Sequence, residues 1–305
     1  EFHWCSSDND SLDAMVLPDQ QIALIDGTAP HVVDPRNPGA VDEILNLGDF
    51  WNERQLFDAK NDILTLNQMV SKYFKIGYIR LREARAVWDE WAEYYADSIP
   101  NQNLNEIIRE IKQTVREHDC TTSPDYWYRH LFASAVTPEG VVSNANTLFD
   151  SGFYVIALRG APGIGMQKIM SSIASWGQEE SLPMETYHSP FIPELTEMLI
   201  FREAKVIVID ASGILINHEP TLAKMINGRL YDLTQTVDKS KLLRFTSKIH
   251  DCTTRFSSAL QGAVNMIGKA KETHDEMEAY YIPAMDFEQI NIKREDLKKR
   301  ILSYL

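Results

Sequence analysis

Three short apolar runs stand out along the chain, and two of them end in an aspartate. Ile22–Ile25 is followed by Asp26, and Val206–Ile209 is followed by Asp210. The third run is Phe153–Leu158. Short apolar runs bounded by polar residues or glycine are typical of buried strands. We therefore predict a strand at each of these three positions.

Helical periodicity follows the strands. An i, i+3, i+4, i+7 stripe comes after the third run and consists of Met166, Ile169, Met170 and Ile173. Such a stripe is typical of an amphipathic helix. The stretches from about 53 to 97 and from about 238 to 281 also have helical apolar spacing and few glycines or prolines. We therefore expect a long helical extension after each aspartate-ended strand.

The chain contains an internal repeat. Residues 1–28 align without a gap on residues 185–212, so that Asp26 falls on Asp210 and Thr28 on Ser212. Further along, Asp89–Glu90 falls on Asp275–Glu276, after an insertion of only two positions in the second copy. Self-similarity at a fixed offset is the signature of a repeated structural unit. We call this alignment the repeat register.

The repeat predicts two tandem domains of one fold. The first copy is expected at residues 1–123 and the second at 129–305, with the boundary near 123–128. Strands that alternate with helices favour an α/β class. The predicted fold is therefore α/β, with two tandem domains that each have a parallel sheet flanked by helices and a long helical extension.

The stretch GAPGIGMQK, residues 160–168, lies between a predicted strand and a predicted helix. A phosphate-binding P-loop reads G-x-x-x-x-G-K-[ST], in which backbone amides and the lysine hold phosphate and the hydroxyl holds Mg²⁺. Gly160, Gly163 and Gly165 are the candidate cofactor-binding residues. Met166 and Gln167 occupy the lysine and hydroxyl positions. We therefore predict a degenerate loop that binds at most a sulfate or phosphate.

The neighbouring lysine does not restore the motif. Lys168 is two positions beyond the motif's lysine, about 200° further around an α-helix, and is expected to point away from the loop. In the repeat register, the counterpart of Gly160 falls ahead of Glu1, outside this sequence. We therefore expect the first copy to have its own loop upstream of this sequence.

Carboxylates in the first copy are the candidate metal ligands. CSSDNDSLD contains Asp8, Asp10 and Asp13, close enough in sequence to present carboxylates from one loop, where the second copy has SPFIPELTE. Because Mg²⁺ prefers one or two carboxylates, Asp8, Asp10 and the strand-ending Asp26 are predicted to lie near the metal. The alternative for each aspartate of this loop is a solvated turn that caps a helix after Asp10.

The strand-ending aspartates resemble the carboxylate that follows the second conserved strand of P-loop proteins. Asp26 is therefore the predicted catalytic residue, while Thr28 and Asp210 are added to the cofactor-binding residues. For Asp210 a plain turn at the end of a core strand stays an equal alternative. His31 is either a base or a simple hydrogen-bonding residue.

Composition limits the classes of partner that the protein is expected to bind. The 305 residues carry a formal net charge of −14, with a pI near 5.0, which argues against nucleic acid as the main partner. The three widely spaced cysteines predict no disulfide framework. The sequence has neither an export signal nor an apolar run long enough to span a membrane, so a cytoplasmic location is expected.

A zinc site is a further possibility, because HDCTT occurs twice. It begins at His118 and again at His250. The two pentapeptides do not correspond to each other in the repeat register, and H-x-C is not a usual zinc spacing. The sequence therefore disfavours zinc.

The chain resembles a family of bacterial tandem P-loop ATP-binding proteins. The resembling stretches are CSSDNDSLD from Cys5, IDGTAPHVVDP from Ile25 and RHLFASAVTPEG from Arg129. The resemblance implies ATP and Mg²⁺ as cofactors, with the first copy competent and the second a pseudo-site because it departs at Met166 and Gln167. The competing hypothesis is a non-catalytic regulatory or interaction module that keeps the P-loop fold.

Overall fold

The computed structural model describes residues 1–28, 31–96, 98–118, 128–218, 222 and 227–304. They form a mixed α/β structure with two compact units. Unit 1 consists of residues 1–76 and 265–305, and unit 2 of residues 77–264.

Unit 1 contains a three-stranded antiparallel sheet in the order β1-β2-β3. Its strands are β1 (Phe2–Trp4), β2 (Leu12–Leu17) and β3 (Ile22–Ile25). The helices that follow are α1 (Glu53–Asp58), the beginning of α2 (Lys60–Tyr95), the end of α6 (Thr246–Tyr281) and α7 (Phe287–Leu302). A 3-10 turn at Leu47–Phe50 precedes α1 and contacts α7.

Unit 2 contains a six-stranded mixed sheet in the order β11-β7-β10-β9-β8-β4. Its strands are β4 (Tyr128–Leu131), β7 (Tyr154–Arg159), β8 (Met184–His188), β9 (Thr196–Phe201), β10 (Val206–Asp210) and β11 (Gly228–Asp232). A separate hairpin consists of β5 (Ser134–Thr137) and β6 (Gly140–Ser143). The unit also contains α3 (Asn101–Glu117), α4 (Met166–Glu179) and α5 (Lys239–Leu242).

The three predicted strands and the helix after the glycine loop are confirmed, but the prediction of parallel sheets is wrong. In unit 2, β7 pairs parallel with β10 and β11, whereas β9 pairs antiparallel with both β8 and β10. In unit 1, the three strands are entirely antiparallel. The physical reason is the short turn between β9 and β10, in which Lys205 N donates to Arg202 O. A connection this short can join only antiparallel strands, because parallel neighbours need a long crossover.

The sheet of unit 2 is buried on both faces. Alternate residues of β7 and β10 belong to opposite core clusters, as the two-residue period of a strand requires. Ile156 and Val208 face the cluster that includes α3 and α4, while Val155 and Ile207 face the other. Burial on both faces explains why these strands are continuous apolar runs rather than alternating ones.

The repeat recurs in the strand pairing. Phe2 pairs with Met15 as Thr186 pairs with Leu199, and the pairing shifts at Trp4 as it does at His188. Each of these pairs corresponds in the repeat register. The two long helices, α2 and α6, have 36 residues each, and their first residues are also equivalent in the repeat. The antiparallel hairpins and the long helices are therefore structurally repeated.

The compact units do not coincide with residues 1–123 and 129–305. Unit 1 contains the strands of the first copy and α7 of the second, whereas unit 2 contains the sheet of the second copy and α3 of the first. Equivalent hydrogen bonds occur in each unit: Asn52 N donates to Ala284 O at 2.8 Å, and Asp238 N donates to Ser98 O at 3.0 Å. The last helix of each copy therefore belongs to a different compact unit from the strands of that copy.

Candidate functional site

The glycine loop joins β7 to α4 in unit 2. Gly163 and Gly165 have φ angles of +76° and +100°, in the left-handed region that favours glycine. Gly165 is the N-cap of α4 and provides no side-chain hydrogen bond to the first turn. The amides at this helix N-terminus therefore have the orientation and partial positive charge that suit an anion.

The loop is closely packed against two helices. A Cβ on Gly163 would overlap the carbonyl oxygen of Ala92 in α2, and a Cβ on Gly165 would lie 2.6 Å from Leu104 Cδ1 in α3. The glycines are therefore needed for packing against α2 and α3 as well as for the shape of the turn.

A cavity of about 280 Å³ lies beside the loop. It is lined by the loop glycines, by Gln167 and Asp210, and by Arg85 and Trp88 of α2. Its volume is just below the range of roughly 300–1000 Å³ found for small-molecule sites. The sequence-predicted residues Gly160, Gly163, Gly165 and Asp210 therefore line one cavity.

The two replaced motif residues have structural contacts of their own. Met166 is only 6% exposed and belongs to the core cluster that includes α3 and α4. Gln167 Nε2 donates to Thr196 O, and Gln167 Oε1 accepts from Thr196 N, both at 2.9 Å. The Gln167 amide is thus bonded through both of its polar atoms to the first residue of β9.

Lys168 does not substitute for the missing lysine. Its Nζ donates to Asn101 Oδ1 at the start of α3, with a distance of 2.7 Å. Lys168 nevertheless lines the same cavity as the loop glycines, so the expectation that it points away from the loop stays a prediction.

Asp210 ends β10, the parallel neighbour of β7. Its Oδ1 accepts a hydrogen bond from Ser212 N at 2.8 Å and another from the Ser212 hydroxyl. Burial raises the pKa of Asp210, the two Ser212 donors oppose that rise, and the nearby Glu197 carboxylate adds to it. The position of Asp210 beside the loop's strand agrees with the sequence prediction.

A buried acid–histidine pair adjoins Asp210 and was missed at the sequence level. Glu197 Oε1 accepts from Ser134 Oγ at 2.8 Å and lies 3.2 Å from His218 Nε2. The two side chains are 6% and 4% exposed, and Glu197 Oε2 has no hydrogen-bond partner among the described residues. A cavity of about 30 Å³, lined by Glu197, Asp210 and His218 among others, has room for a water molecule.

The first copy has a counterpart of this pair. Asp13, which aligns with Glu197 in the repeat register, lies with its Oδ2 3.5 Å from His31 Nε2. The alignment of Asp13 with Glu197 was the signal that could have revealed the pair. A carboxylate–histidine contact therefore occurs in both copies, with the carboxylate at the second residue of β2 and of β9. The histidines, His31 and His218, are not equivalent in the repeat register.

Asp26 and Thr28 form the same turn as Asp210 and Ser212. Asp26 Oδ1 accepts from Thr28 N at 2.9 Å and from Thr28 Oγ1 at 2.8 Å. The Asp26 carboxylate lies at the surface. The two copies therefore end equivalent strands with a carboxylate held by the residue two positions later.

Asp8 is engaged within its own loop. Its Oδ1 accepts from Asp10 N at 3.2 Å, its Oδ2 accepts from Ser11 Oγ at 3.0 Å, and Lys271 Nζ is 3.6 Å from Oδ2. The Asp10 amide, followed by Ser11 and Lys271, lowers the pKa of Asp8. This arrangement is a turn, as the alternative expected, but it is followed by strand β2 and not by the expected helix.

Asp8, Asp10 and Asp26 do not form a compact group of ligand atoms. Within the described part of the chain, the one set of three candidate ligands with atoms within 4.8 Å of one another is His274, Asp275 and Glu278. That set is largely exposed on α6. The assignment of Asp8, Asp10 and Asp26 to a metal stays a prediction.

The disfavoured zinc site gains no support. Cys252 is fully buried in the contact between α2 and α6, with Phe256 and Trp91 in the same cluster. Cys120 lies outside the described residues.

No family model matches this chain, and neither does any curated protein or solved structure with which it was compared. Among the described helices, none has both the length and the apolar character that crossing a membrane requires. The likeness to tandem P-loop ATP-binding proteins therefore rests on the quoted sequence stretches alone.

Proposed function

We propose that the protein is a nucleotide-binding protein of the P-loop class, with ATP and Mg²⁺ as cofactors. The observation that carries the proposal is the order of strand β7, the glycine loop and helix α4, with Asp210 at the end of the parallel neighbour β10. Loop amides at a helix N-terminus bind phosphate, and a carboxylate on the adjacent strand addresses the metal. No nucleic acid or membrane partner is proposed, and a cytoplasmic location stays a prediction.

We propose that the two copies differ in their ability to bind nucleotide. In the second copy, a buried thioether stands where a lysine would neutralise phosphate, and the Gln167 amide is bonded to Thr196 instead of a metal. A charge-assisted hydrogen bond contributes roughly 1.5–3 kcal/mol, so its loss weakens nucleotide binding about tenfold to a hundredfold or more. The second copy is therefore a pseudo-site that holds at most an inorganic anion.

The first copy is the proposed active one. Asp26 is its catalytic and metal-associated residue, Thr28 contacts phosphate or a metal-bound water, and Asp8 and Asp10 stand near the metal. Support comes from the Asp26–Thr28 turn, which has the same hydrogen bonds as the Asp210–Ser212 turn beside the glycine loop. A surface carboxylate in this turn is accessible to a hydrated metal ion, whereas Asp210 is partly buried.

Calorimetry of the chain with phosphate and with MgATP tests the second copy. We expect wild type to bind phosphate weakly and to show no tight MgATP binding at the loop. The double change Met166→Lys with Gln167→Ser is expected to raise MgATP affinity by about tenfold or more, because it restores the charge and the hydroxyl. Lys205→Met is the matched control and should leave affinity unchanged, since Lys205 is exposed in the turn before β10, at the opposite end of the sheet from the loop.

Two results would contradict this proposal. Tight MgATP binding that depends on Gly163 and Asp210 in wild type would show that the second copy is no pseudo-site. A folded double variant that gains no affinity would show that the loop no longer has a phosphate-binding shape.

A second candidate is a non-catalytic module that keeps the fold. The observation in its favour is that α2 and α3 pack directly on the loop through Ala92 and Leu104. In that case the loop is a helix-packing element. Absence of any phosphate or nucleotide binding by wild type and by the double variant would favour this candidate.

A further inference from the structure

A β-bulge positions Glu197 in the interior of unit 2. In the pairing of β8 with β9, Met198 and Thr196 face consecutive residues of β8, so Glu197 between them is an extra residue. In the first copy the same irregularity leaves out Asp13, the counterpart of Glu197. A bulge redirects the side chain that it carries, and bulges are frequent beside functional sites. The repeated bulge therefore places a carboxylate at an equivalent position in both copies.

Glu197 lies next to a second acidic side chain. Strands β9 and β10 pair antiparallel as far as Met198 and Ile209, and the next residues along the two strands are Glu197 and Asp210. The Glu197 carboxylate acts electrostatically on Asp210, as expected for close charges. Like charges that face each other on neighbouring strands are destabilising. The two carboxylates therefore need positive charge nearby.

The residues around these carboxylates provide little positive charge. Glu197 and Asp210 line the cavity of about 30 Å³, and none of the described residues that line it is a lysine or an arginine. Arg85, which lines the larger cavity beside the loop, is paired with two carboxylates of its own. Even a protonated His218 would balance only one of the two negative charges. The small cavity is therefore suited to a cation.

One oxygen of Glu197 has no hydrogen-bond partner among the described residues. Its Oε1 accepts from Ser134 Oγ, whereas Oε2 accepts from none of them although the side chain is only 6% exposed. A buried polar atom without a partner is costly and calls for an explanation. Because Glu197 lines a cavity with room for one small species, a bound ligand provides that explanation.

We propose that Glu197 and His218 bind a divalent transition-metal ion of the zinc type in this cavity, with Asp210 hydrogen-bonded to a water on the ion. His218 Nε2 lies 3.2 Å from Glu197 Oε1. Two ligands at about 2.0–2.1 Å from a tetrahedral ion are roughly 3.4 Å apart, so these atoms are nearly in place. Asp210 is assigned to a water because the three side chains do not bring their ligand atoms within 4.8 Å of one another.

The donor atoms select the class of ion. Zn²⁺ is commonly bound by imidazole nitrogen and carboxylate oxygen together, whereas Mg²⁺ and Ca²⁺ are bound by oxygen. The ion is therefore distinct from the Mg²⁺ that accompanies ATP, and its binding does not rest on the proposed nucleotide function. The site also shares no residue with the HDCTT pentapeptides.

The first copy has a more exposed version of the pair. The side chains of Asp13 and His31 are 23% and 43% exposed, against 6% and 4% for Glu197 and His218. Charges attract an ion more strongly where water is excluded. We therefore assign the ion to the second copy, and Asp13 provides a matched control.

Calorimetry of residues 1–305 with ZnCl₂, after removal of metal by a chelator and without nucleotide, tests the proposal. We expect one Zn²⁺ per chain at this site, and MgCl₂ to bind at least about tenfold more weakly. Zn²⁺ should also raise the unfolding temperature, because an ion that binds the folded state alone stabilises it. Absence of Zn²⁺ binding would overturn the proposal and leave water as the occupant of the cavity.

Substitutions localise the ion. Glu197→Gln keeps the shape of the side chain and removes its charge; it and His218→Ala are expected to weaken Zn²⁺ binding at least about a hundredfold. Asp210→Asn should weaken it about tenfold, as is usual for a group that acts on a metal through another ligand. His274→Ala, in the exposed set on α6, and Asp13→Asn are the controls and should leave affinity unchanged.

Two further results decide where the ion lies. Loss of Zn²⁺ binding in His274→Ala or Asp13→Asn, with affinity kept in Glu197→Gln, would overturn the proposal by locating the ion elsewhere. If the Glu197 and His218 variants do not fold, anomalous diffraction from wild-type crystals grown with ZnCl₂ replaces them. A peak between Glu197 and His218 would support the proposal, and a peak elsewhere or none would overturn it.

Discussion

The hairpins β2–β3 and β9–β10 have the same backbone but different surroundings. In both, the turn has a left-handed residue at the same position, Gln21 with φ +54° and Lys205 with φ +51°. Their pairing agrees residue for residue, since Ala14 faces Ile25 as Met198 faces Ile209. One hairpin nevertheless lies within a six-stranded sheet and the other at the edge of a three-stranded one.

The comparison distinguishes the local interactions that form a hairpin from the tertiary contacts that bury it. In each turn the left-handed residue donates its amide to the carbonyl three residues earlier, from Gln21 to Pro18 and from Lys205 to Arg202. These local bonds and the alternation of side chains are enough to set the register. The core contacts of Ile209 come from other elements, so the same strand sequence pattern can be buried or exposed.

Truncation of the two equivalent isoleucines has the largest expected effect. Ile209→Ala is expected to lower the free energy of unfolding of unit 2 by about 4 kcal/mol, because removing a buried Ile side chain costs roughly 2–5 kcal/mol. Ile25→Ala in residues 1–305 should change stability by less than about 0.5 kcal/mol, as exposed substitutions usually do. Urea unfolding, read together with hydrogen exchange at β10 and β3, provides the measurement.

A large loss of stability from Ile25→Ala would contradict this difference between the two hairpins. It would mean that other residues cover β3, and the two hairpins would then have similar surroundings. A small loss from Ile209→Ala would show instead that the core around β10 tolerates a cavity.

The next largest loss of stability is expected from substitution of the loop glycine Gly163. Gly163→Ala combines an unfavourable left-handed backbone with overlap on the Ala92 carbonyl, and we expect a loss of about 3 kcal/mol. Gly39→Ala is the matched control, because Gly39 has φ +78° but no atom within 4 Å of an added Cβ. It should cost only the backbone strain, about 1 kcal/mol. Thermal unfolding followed by circular dichroism distinguishes the two.

Equal losses for the two glycines would contradict the close packing of α2 on the loop. The comparison of the copies would then change as well, since the glycine loop would be free to move toward a bound nucleotide. A much larger loss at Gly163 would support the loop as a packing element of the second copy.

Part of this architecture was predictable because its signals are local. The run at Val206–Ile209, the glycines at 160–165 and the stripe that begins at Met166 each lie within a short stretch, and each forms the predicted element. The constant offset of the repeat likewise located equivalent turns at Asp26 and Asp210.

The remaining features depend on contacts between distant residues. The antiparallel pairing of β9 with β10 follows from the turn near Lys205, which has no glycine to mark it. Glu197 meets His218 and Ser134 only after the sheet forms, so the repeat marks the carboxylate, through its alignment with Asp13, but no local pattern indicates its partners. Helices α3 and α7 each belong to a different compact unit from the strands of their own copy, and periodicity within a helix does not indicate which strands it joins.

The smallest expected effect concerns the strand-ending aspartates. Burial and the Glu197 carboxylate raise the pKa of Asp210, while Ser212 and His218 oppose that rise. Between the ordinary and the raised pKa, the folded protein retains a proton that the unfolded chain has released. Stability therefore falls as the pH rises through this window, and the loss persists at neutral pH.

Asp210→Asn removes that titration and keeps an oxygen that can accept from Ser212. We expect the variant to match wild type at low pH and to become more stable as the pH rises, by about 1 kcal/mol at pH 7, the usual scale of a single substitution. Asp26→Asn is the control in the first copy; its carboxylate is exposed to water, so the same change should alter stability less. The measurement is the unfolding temperature of each variant from pH 4 to 8. A stability gain for Asp26→Asn as large as that for Asp210→Asn would show that burial is not what distinguishes the two turns.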